Sequence, residues 1–337
     1  MLSPTNNYRP RHTLRFGFIA ILVVWLLAVG LLLVNRQSLI DWWRLRGYTP
    51  PSSVVSLANE DTMAPYTRHL FYLNRPQLLP TVTSFRVHCP ENLNTIVLGC
   101  YHPDQDGIFI YNVADPTLAG VQQVTAAHEV LHAVYARLST QARTNLDTEL
   151  TDYYQHGLND SLVKAEVKLY QQTEPNDVMD EMSCTFGTEV ANLPPNLEAY
   201  YRQYFSNRTV IVAYEQKYET AFSAREAQIK QYDSQLSQMK SQISSLQSQL
   251  TAAHANLNTQ LANLASLRSS GNVAAYNAGV PTYNSLIDSY NANVQMISKL
   301  VSQYNQLVAT RNQLAGQLTT LAAALDTRIT PATQSKQ

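Results

Sequence analysis

The stretch Val121-Gln122-Gln123-Val124-Thr125-Ala126-Ala127-His128-Glu129-Val130-Leu131-His132-Ala133-Val134 decides how the rest of the chain is read. Val121, Val124, Leu131, Val134 and Leu138 recur at helical spacing, which predicts a helix over 121–138 with one face in a core. On such a helix positions i and i+4 share a face, so His128 and His132 can address one metal ion. Glu129 is offset by about 100° and lies beside that face, placed to take a proton from a water that the metal activates. The residues around the pair, Thr125-Ala126-Ala127 and Ala133-Val134, are uncharged, as a buried site requires.

Downstream, the pattern stays helical to about Arg208, with helices expected over 140–157, 159–172, 177–191 and 196–206. Leu193-Pro194-Pro195 separates the last two. Upstream, residues 59–120 mix patterns: Phe85-Arg86-Val87 and Gly107-Ile108-Phe109-Ile110-Tyr111 read as strands, with a turn at Pro103 and Asp104-Gln105-Asp106-Gly107.

The run around His128-Glu129-Val130-Leu131-His132 resembles the active-site helix of the zincin metallopeptidases, over roughly residues 105–190. The resemblance implies an α+β, mostly helical zincin-like domain, a Zn²⁺ cofactor, a peptide or protein substrate and hydrolysis with Glu129 as the catalytic base. A catalytic zinc needs a third protein ligand and one open position. No third histidine follows at the short spacing of the metzincins. A two-histidine helix followed by a glutamate on a later helix is similar to the gluzincins, and here that helix carries Asp177, Asp180, Glu181 and Glu189. Glu181, next to small Ser183 and Cys184 that let two helices approach, is the leading third ligand; Glu189, Asp177, Asp180 and His156 stay open. Thr185 stands where the thermolysin-like pattern has an acid, so support of a histidine falls to Asp180 or Asp177. In zincins an edge strand before this helix pairs with substrate; Gly107–Val113 is either that strand or an internal one. His156, Tyr200, Tyr201, Tyr204 and Arg208 are the donors available for an oxyanion, although 197–205 reads mainly as core.

From Phe16 to Val34 there is no charged residue, a stretch close to the roughly 20 apolar residues that span a bilayer and longer than the apolar region of about 7–15 residues usual in a signal peptide. The expected order is a cytoplasmic N-terminus over 1–15, a transmembrane anchor over 16–35 and a juxtamembrane linker over 36–58 in which Trp42-Trp43 are interface anchors. Arg9, Arg11 and Arg15 precede the span; Arg36, Arg44 and Arg46 follow it, offset by Asp41, so charge alone orients it weakly. Cys89 and Cys100, separated by turn formers, suit a disulfide-closed loop, which implies an extracytoplasmic catalytic domain; Cys184 is left as a buried thiol beside the site. A net charge of −1 argues against a nucleic-acid partner.

After the metallopeptidase domain, set at 59–208, the composition turns to Ser, Gln, Asn and Ala. Ile229, Leu236, Ile243, Leu250, Leu257 and Leu264 repeat every seven residues, with Tyr232, Met239 and Leu246 three places after the first three. A second heptad carries Tyr283, Tyr290, Ile297 and Tyr304 with Leu286, Leu300, Leu307, Leu314 and Leu321. These predict an antiparallel coiled-coil hairpin over 209–326 with its turn near 269–281, where Pro281 is expected to delay the second arm, and a disordered tail over 327–337. The arms pair within the chain or between chains, and the hairpin is a spacer or a dock for a protein partner. Two functions follow: a membrane-anchored zinc peptidase, or a cell-surface structural or adaptor protein with a degenerate metal site.

Overall fold

The computed structural model describes residues 12–90, 96–103 and 107–328, with side chains described from residue 21 onward except 33 and 34. The expected cytoplasmic segment 1–15, the turn formers within 91–95 and 104–106, and most of the expected tail lie wholly or largely outside them. In chain order the helices and strands are α1 (His12–Val34), α2 (Arg36–Leu45), α3 (Ser52–Glu60), α4 (Pro65–Leu73), β1 (Gln77–Leu79), α5 (Val82–His88), β2 (Gly99–His102) and β3 (Gly107–Tyr111). There follow α6 (Val121–Ala136), α7 (Thr140–Asp152), α8 (Ser161–Thr173), α9 (Val178–Thr188), α10 (Pro195–Tyr201), α11 (Thr209–Ser269) and α12 (Val273–Leu325). Among the described residues the protein is mostly helical with one small three-stranded sheet.

The chain divides into two compact units. The first comprises the described chain up to Leu79, Gly99–Ile110 and Thr125–Val210. Its sheet has the order β1-β3-β2, and β2 and β3 are antiparallel, Gly99 opposite Ile110 and His102 opposite Gly107. Gly107 to Ile110 are all buried, the expected state of an uninterrupted apolar run enclosed on both faces. β3 is therefore the internal strand, and the edges of the sheet are β1 and β2. Phe71, Ile110, Leu131, Phe186, Tyr201 and Phe205 form much of the core beneath.

Several sequence expectations are corrected here. Phe85-Arg86-Val87 lies in helix α5 instead of a strand, because Thr81 and Ser84 cap its start reciprocally. Residues 36–58 are no linker: α2 and α3 fold into the first unit, and Asp41 of α2 is buried. The helix expected over 140–157 finishes as one π turn at Tyr153–Gly157. The expected anchor over 16–35 lies partly outside the residues with described side chains and is not among these corrections; among the residues described, no single helix is long and apolar enough to cross a membrane, and Ile21–Leu32 and Arg36–Leu45 meet the requirement together but are bent by 58°.

The second unit contains α5, the start of α6 and the two long helices. Asp233 pairs with Arg311 at 2.9 Å, His254 stacks near Tyr290 and Leu264 touches the backbone at Gly279, so α11 and α12 run antiparallel within one chain. The heptad residues face inward: Ile229, Leu236, Ile243, Leu250, Leu257 and, across from them, Tyr283, Tyr290, Ile297 and Tyr304 are all at least partly covered. The turn is shorter than expected. α12 restarts at Val273, capped by Asn272, and Pro281 sits inside the helix, its cost of about 3 kcal/mol offset by the seam on either side. Thr327 is buried and holds Arg86, whose Nε donates to its carbonyl at 2.6 Å, so ordered structure reaches into the segment expected to be a disordered tail.

In the first unit, Thr62 to Ala64 are clasped to Tyr204–Ser206 by backbone hydrogen bonds, among them Ala64 N to Tyr204 O at 2.8 Å. Beside this clasp Asp61 is fully buried, and neither carboxyl oxygen has a hydrogen-bond partner among the described residues. Burial, and then the charge of Glu60, pushes its pKa well above the ordinary aspartate range. A raised folded-state pKa contributes stability that is complete below the unfolded value near 3.9 and is lost as pH rises through the folded value. Asp61→Asn should therefore raise the denaturation midpoint of the full chain at pH about 7, and the gain should vanish below about pH 4, where the carboxyl is neutral in both states. A gain that stays constant across that range would contradict this account.

Candidate metal centre

The centre is built on α6 and α9, both in the first unit. α6 buries Ala126, Ala127, Val130, Leu131 and Val134, and that face fixes the rotation at which His128 and His132 are presented. Their rings stand edge to face with centroids 5.0 Å apart. α9 lies close enough to face them because small residues line its contact side. A Cβ added at Gly187 would stand 2.6 Å from Leu131 Cδ1 and 2.7 Å from the Tyr201 ring. Ser183 and Cys184, expected to permit the approach, are both buried, and Tyr201 ties α10 to the same segment by donating to the Ser183 carbonyl at 2.7 Å.

This packing brings Glu181 to the histidines. His128 Nε2 is 3.4 Å from Glu181 Oε2, and His132 Nε2 is 3.6 Å from Oε1. Good direct hydrogen bonds between such groups measure about 2.7–3.2 Å. Two ligands of a tetrahedral zinc ion, each about 2.0–2.2 Å from it, stand about 3.3 Å apart. The spacing is thus wide for direct bonds and right for three donors around one cation, and the residues fit zinc. Electrostatics agree. Burial opposes charge on both imidazoles, yet Glu181 raises the pKa of His128, and Cys184, Glu181 and Asp180 raise that of His132; the histidines hold Glu181 below its ordinary value against its own burial. A field that favours positive charge between these groups favours a divalent cation there too.

The surrounding residues orient the three. Asp180 Oδ1 is 3.0 Å from His132 Nδ1, so its carboxylate can hold the ring with Nε2 facing inward. Tyr170, on α8, donates to Glu166 at 2.9 Å and its hydroxyl also reaches Glu181. Cys184 is fully buried, its Sγ lies with nitrogens of both histidines inside a 4.8 Å group, and it donates to Asp180 at 3.8 Å. It is a second candidate for the third ligand beside Glu181: burial pushes its thiol pKa well up, and a coordinated cation would draw that proton off.

Glu129 is buried beside the pair, and loss of solvent pushes its pKa up to about 7. Strand β2 is what closes over it: a side chain at Gly99 would collide with the Glu129 carboxyl and with Thr125, so only glycine lets the strand pass at this point. Two residues further along, on the same face of β2, Tyr101 lies in the field of Arg137, Arg44, Asp180 and His132.

Other expected residues are not brought to the centre. His156 is exposed and pairs with Asp152 on its own turn. Asp177 is exposed at the start of α9, and Glu189 stands at its far end as the C-cap. Arg208 is no oxyanion donor: it is buried, closes the end of the α9 segment through the Val190 and Ala191 carbonyls, and pairs with Glu198 at 2.7 Å. Tyr201 is committed to Ser183, and Tyr200, half-buried, meets the buried Tyr204 edge to face. No local sequence pattern singles out Tyr170 or Gly99. The first belongs to a helix whose periodicity says nothing of α9, and the second precedes Gly107–Val113, the strand that the resemblance draws attention to. Cys89 and Cys100 are both disulfide-bonded, and Cys184 is a free cysteine.

No protein-family model, curated protein or solved structure matches this chain.

Asp180→Ala should weaken zinc binding by about 10–100-fold, the range for a residue that orients a ligand without being one. Competition with a chromogenic chelator on the full chain measures this; unchanged affinity would mean that the His132 contact orients nothing.

Proposed function

We propose that the protein is a membrane-anchored zinc-dependent peptidase of gluzincin-like type. The observation that carries this reading is the convergence of His128 Nε2, His132 Nε2 and both Glu181 oxygens at 3.4 and 3.6 Å, with Glu129 buried alongside. His128, His132 and Glu181 would hold the ion. When bound, zinc supplies Lewis acidity towards a water and a carbonyl oxygen at the position its protein ligands leave open.

The chain's own residues account for the rest. Glu129, with a pKa raised by burial to about 7, can accept a proton from the attacking water at a carboxyl oxygen and deliver it to the departing amide nitrogen. Asp180 keeps His132 in one tautomer by accepting from Nδ1. An extended peptide can add to the sheet at β2, an edge strand that runs over Glu129 at Gly99, and main-chain hydrogen bonds of this kind bind many sequences with modest selectivity. The apolar α1 supports the anchor, and the disulfide supports an extracytoplasmic domain, with the N-terminus cytoplasmic. The α11–α12 hairpin serves as a spacer or as a dock for a protein partner.

The full chain should bind one zinc per molecule. His128→Ala, His132→Ala or Glu181→Ala should each reduce affinity by more than about 100-fold, beyond the range for outer residues. Glu129→Gln should keep the metal and lose cleavage of an unfolded polypeptide mixture, because the proton acceptor is gone while the ligands remain. Metal content by atomic absorption, read beside cleavage, tests both. Full zinc retention in the histidine variants would end the proposal, and loss of metal in Glu129→Gln would make Glu129 a ligand.

A further inference from the structure

α2 has two faces of opposite character. Asp41 is 6% exposed and accepts from both Arg137 guanidinium nitrogens, at 2.6 and 2.9 Å, and from Gln37 at 3.1 Å, with His69 Nε2 3.9 Å away. At 100° per residue Leu39 and Trp43 stand on the opposite side of the helix, flanked by Ile40 and Trp42. All four are exposed, Trp42 by 63% and Trp43 by 72%. Two adjacent tryptophans this open, in line with two aliphatic side chains, are an apolar surface that calls for a cover.

The neighbouring elements say what covers it. α1 immediately precedes α2 and exposes Ile21, Trp25, Leu27 and Leu31 alike, with no polar side to turn towards protein or water. The two helices meet at 58°, so a bilayer that takes up α1 would meet α2 inclined strongly to it. Arg36 and Arg46 lie on or next to the outer side of α2, and the Arg46 guanidinium stacks over Trp42 at 5.6 Å, whereas Arg44 is turned inward with a terminal nitrogen buried. Tryptophan and arginine together match the interfacial zone, where indole sits at headgroup depth and guanidinium reaches phosphate.

Resting on the reading of α1 as a membrane anchor, the geometry points to α2 as an interfacial helix: Leu39, Ile40, Trp42 and Trp43 lie in the headgroup region, while Asp41 on the opposite face grips Arg137. Arg137 follows α6 directly, five residues beyond His132, a distance of about 7–8 Å along a helix. The Asp41–Arg137 pair thus ties the helix of the candidate metal centre to the bilayer surface without a flexible joint. α2 carries the centre on its inner side and lipid on its outer side, and the site works close to the membrane face.

The chain has three tryptophans, Trp25, Trp42 and Trp43, which makes the test direct. The full chain is reconstituted into vesicles of phosphatidylcholine and phosphatidylglycerol brominated either near the headgroup or near the chain ends. Trp25→Phe leaves Trp42 and Trp43 as reporters; Trp42→Phe combined with Trp43→Phe leaves Trp25. In the first protein, fluorescence should be quenched more by shallow than by deep bromines; in the second, more by deep ones. If Trp25 is quenched by deep bromines while Trp42 and Trp43 keep a red-shifted, unquenched emission, α2 lies in water and the inference falls while the anchor stands. A blue-shifted but unquenched emission from Trp42 and Trp43 means that protein covers them, which also overturns it. If Trp25 is quenched by neither lipid, the anchor fails and the inference with it.

Discussion

Two imidazoles and a carboxylate largely withdrawn from water are stable only if they answer one another's polarity, and this requirement shapes the first unit. A lone buried charge is very costly, whereas a matched set can be tolerated when each member is also held by further partners. His128 and His132 answer to Glu181, His132 in turn to Asp180, and Glu181 to Tyr170. The set exists because α9 approaches α6 closely, and that approach depends on Gly187 leaving space for Leu131 and Tyr201. Helix packing and site electrostatics are therefore one constraint: bulk at Gly187 would separate the opposite charges and leave each buried alone.

The rest of the unit serves that junction. β2 passes over Glu129 at Gly99, keeping water from the carboxyl and raising its affinity for a proton. Arg208 gathers the carbonyls at the end of the α9 segment and pairs with Glu198, so the helix that carries Glu181 is held at its far end too. At the other side, Asp41 engages Arg137 just beyond α6. The helix with the two histidines is fixed at its end by one ion pair and along its face by packing, which suits a site whose donor atoms must keep their spacing to a few tenths of an ångström.

The hairpin obeys different physics. Two helices alone bury only a seam, and the inward residues of α11 and α12 are mostly half-covered. The seam is nevertheless specific, because Asp233 meets Arg311 and His254 meets Tyr290 in one antiparallel register. At its base Leu321 joins Val113, Leu118 and Val121 in a buried cluster, so the start of α6 and the end of α12 share one small core.

Periodic patterns were legible in the sequence because they are local. The i, i+4 histidines and the heptads follow from rotation per residue, which needs no knowledge of neighbours. Glu181 was legible in part, from small residues beside an acid on a later helix. What tertiary structure alone decided was proximity. Tyr170, Gly99 and Gly187 are unremarkable in sequence; their importance comes from an adjacent helix or strand that no local pattern names. For the same reason Phe85-Arg86-Val87 turned out helical, since a reciprocal cap outweighed a weak β preference, and Gly107–Tyr111 became the internal strand once β1 and β2 took its two sides. Residues 36–58 read as a connector because the partner of Asp41 is Arg137, nearly a hundred positions away. The sequence by itself determined which residues are candidate metal donors and where the periodic helices run after residue 121; only the folded chain decided which of the acids stands at the right distance, because distance between elements is set by packing and not by spacing along the chain.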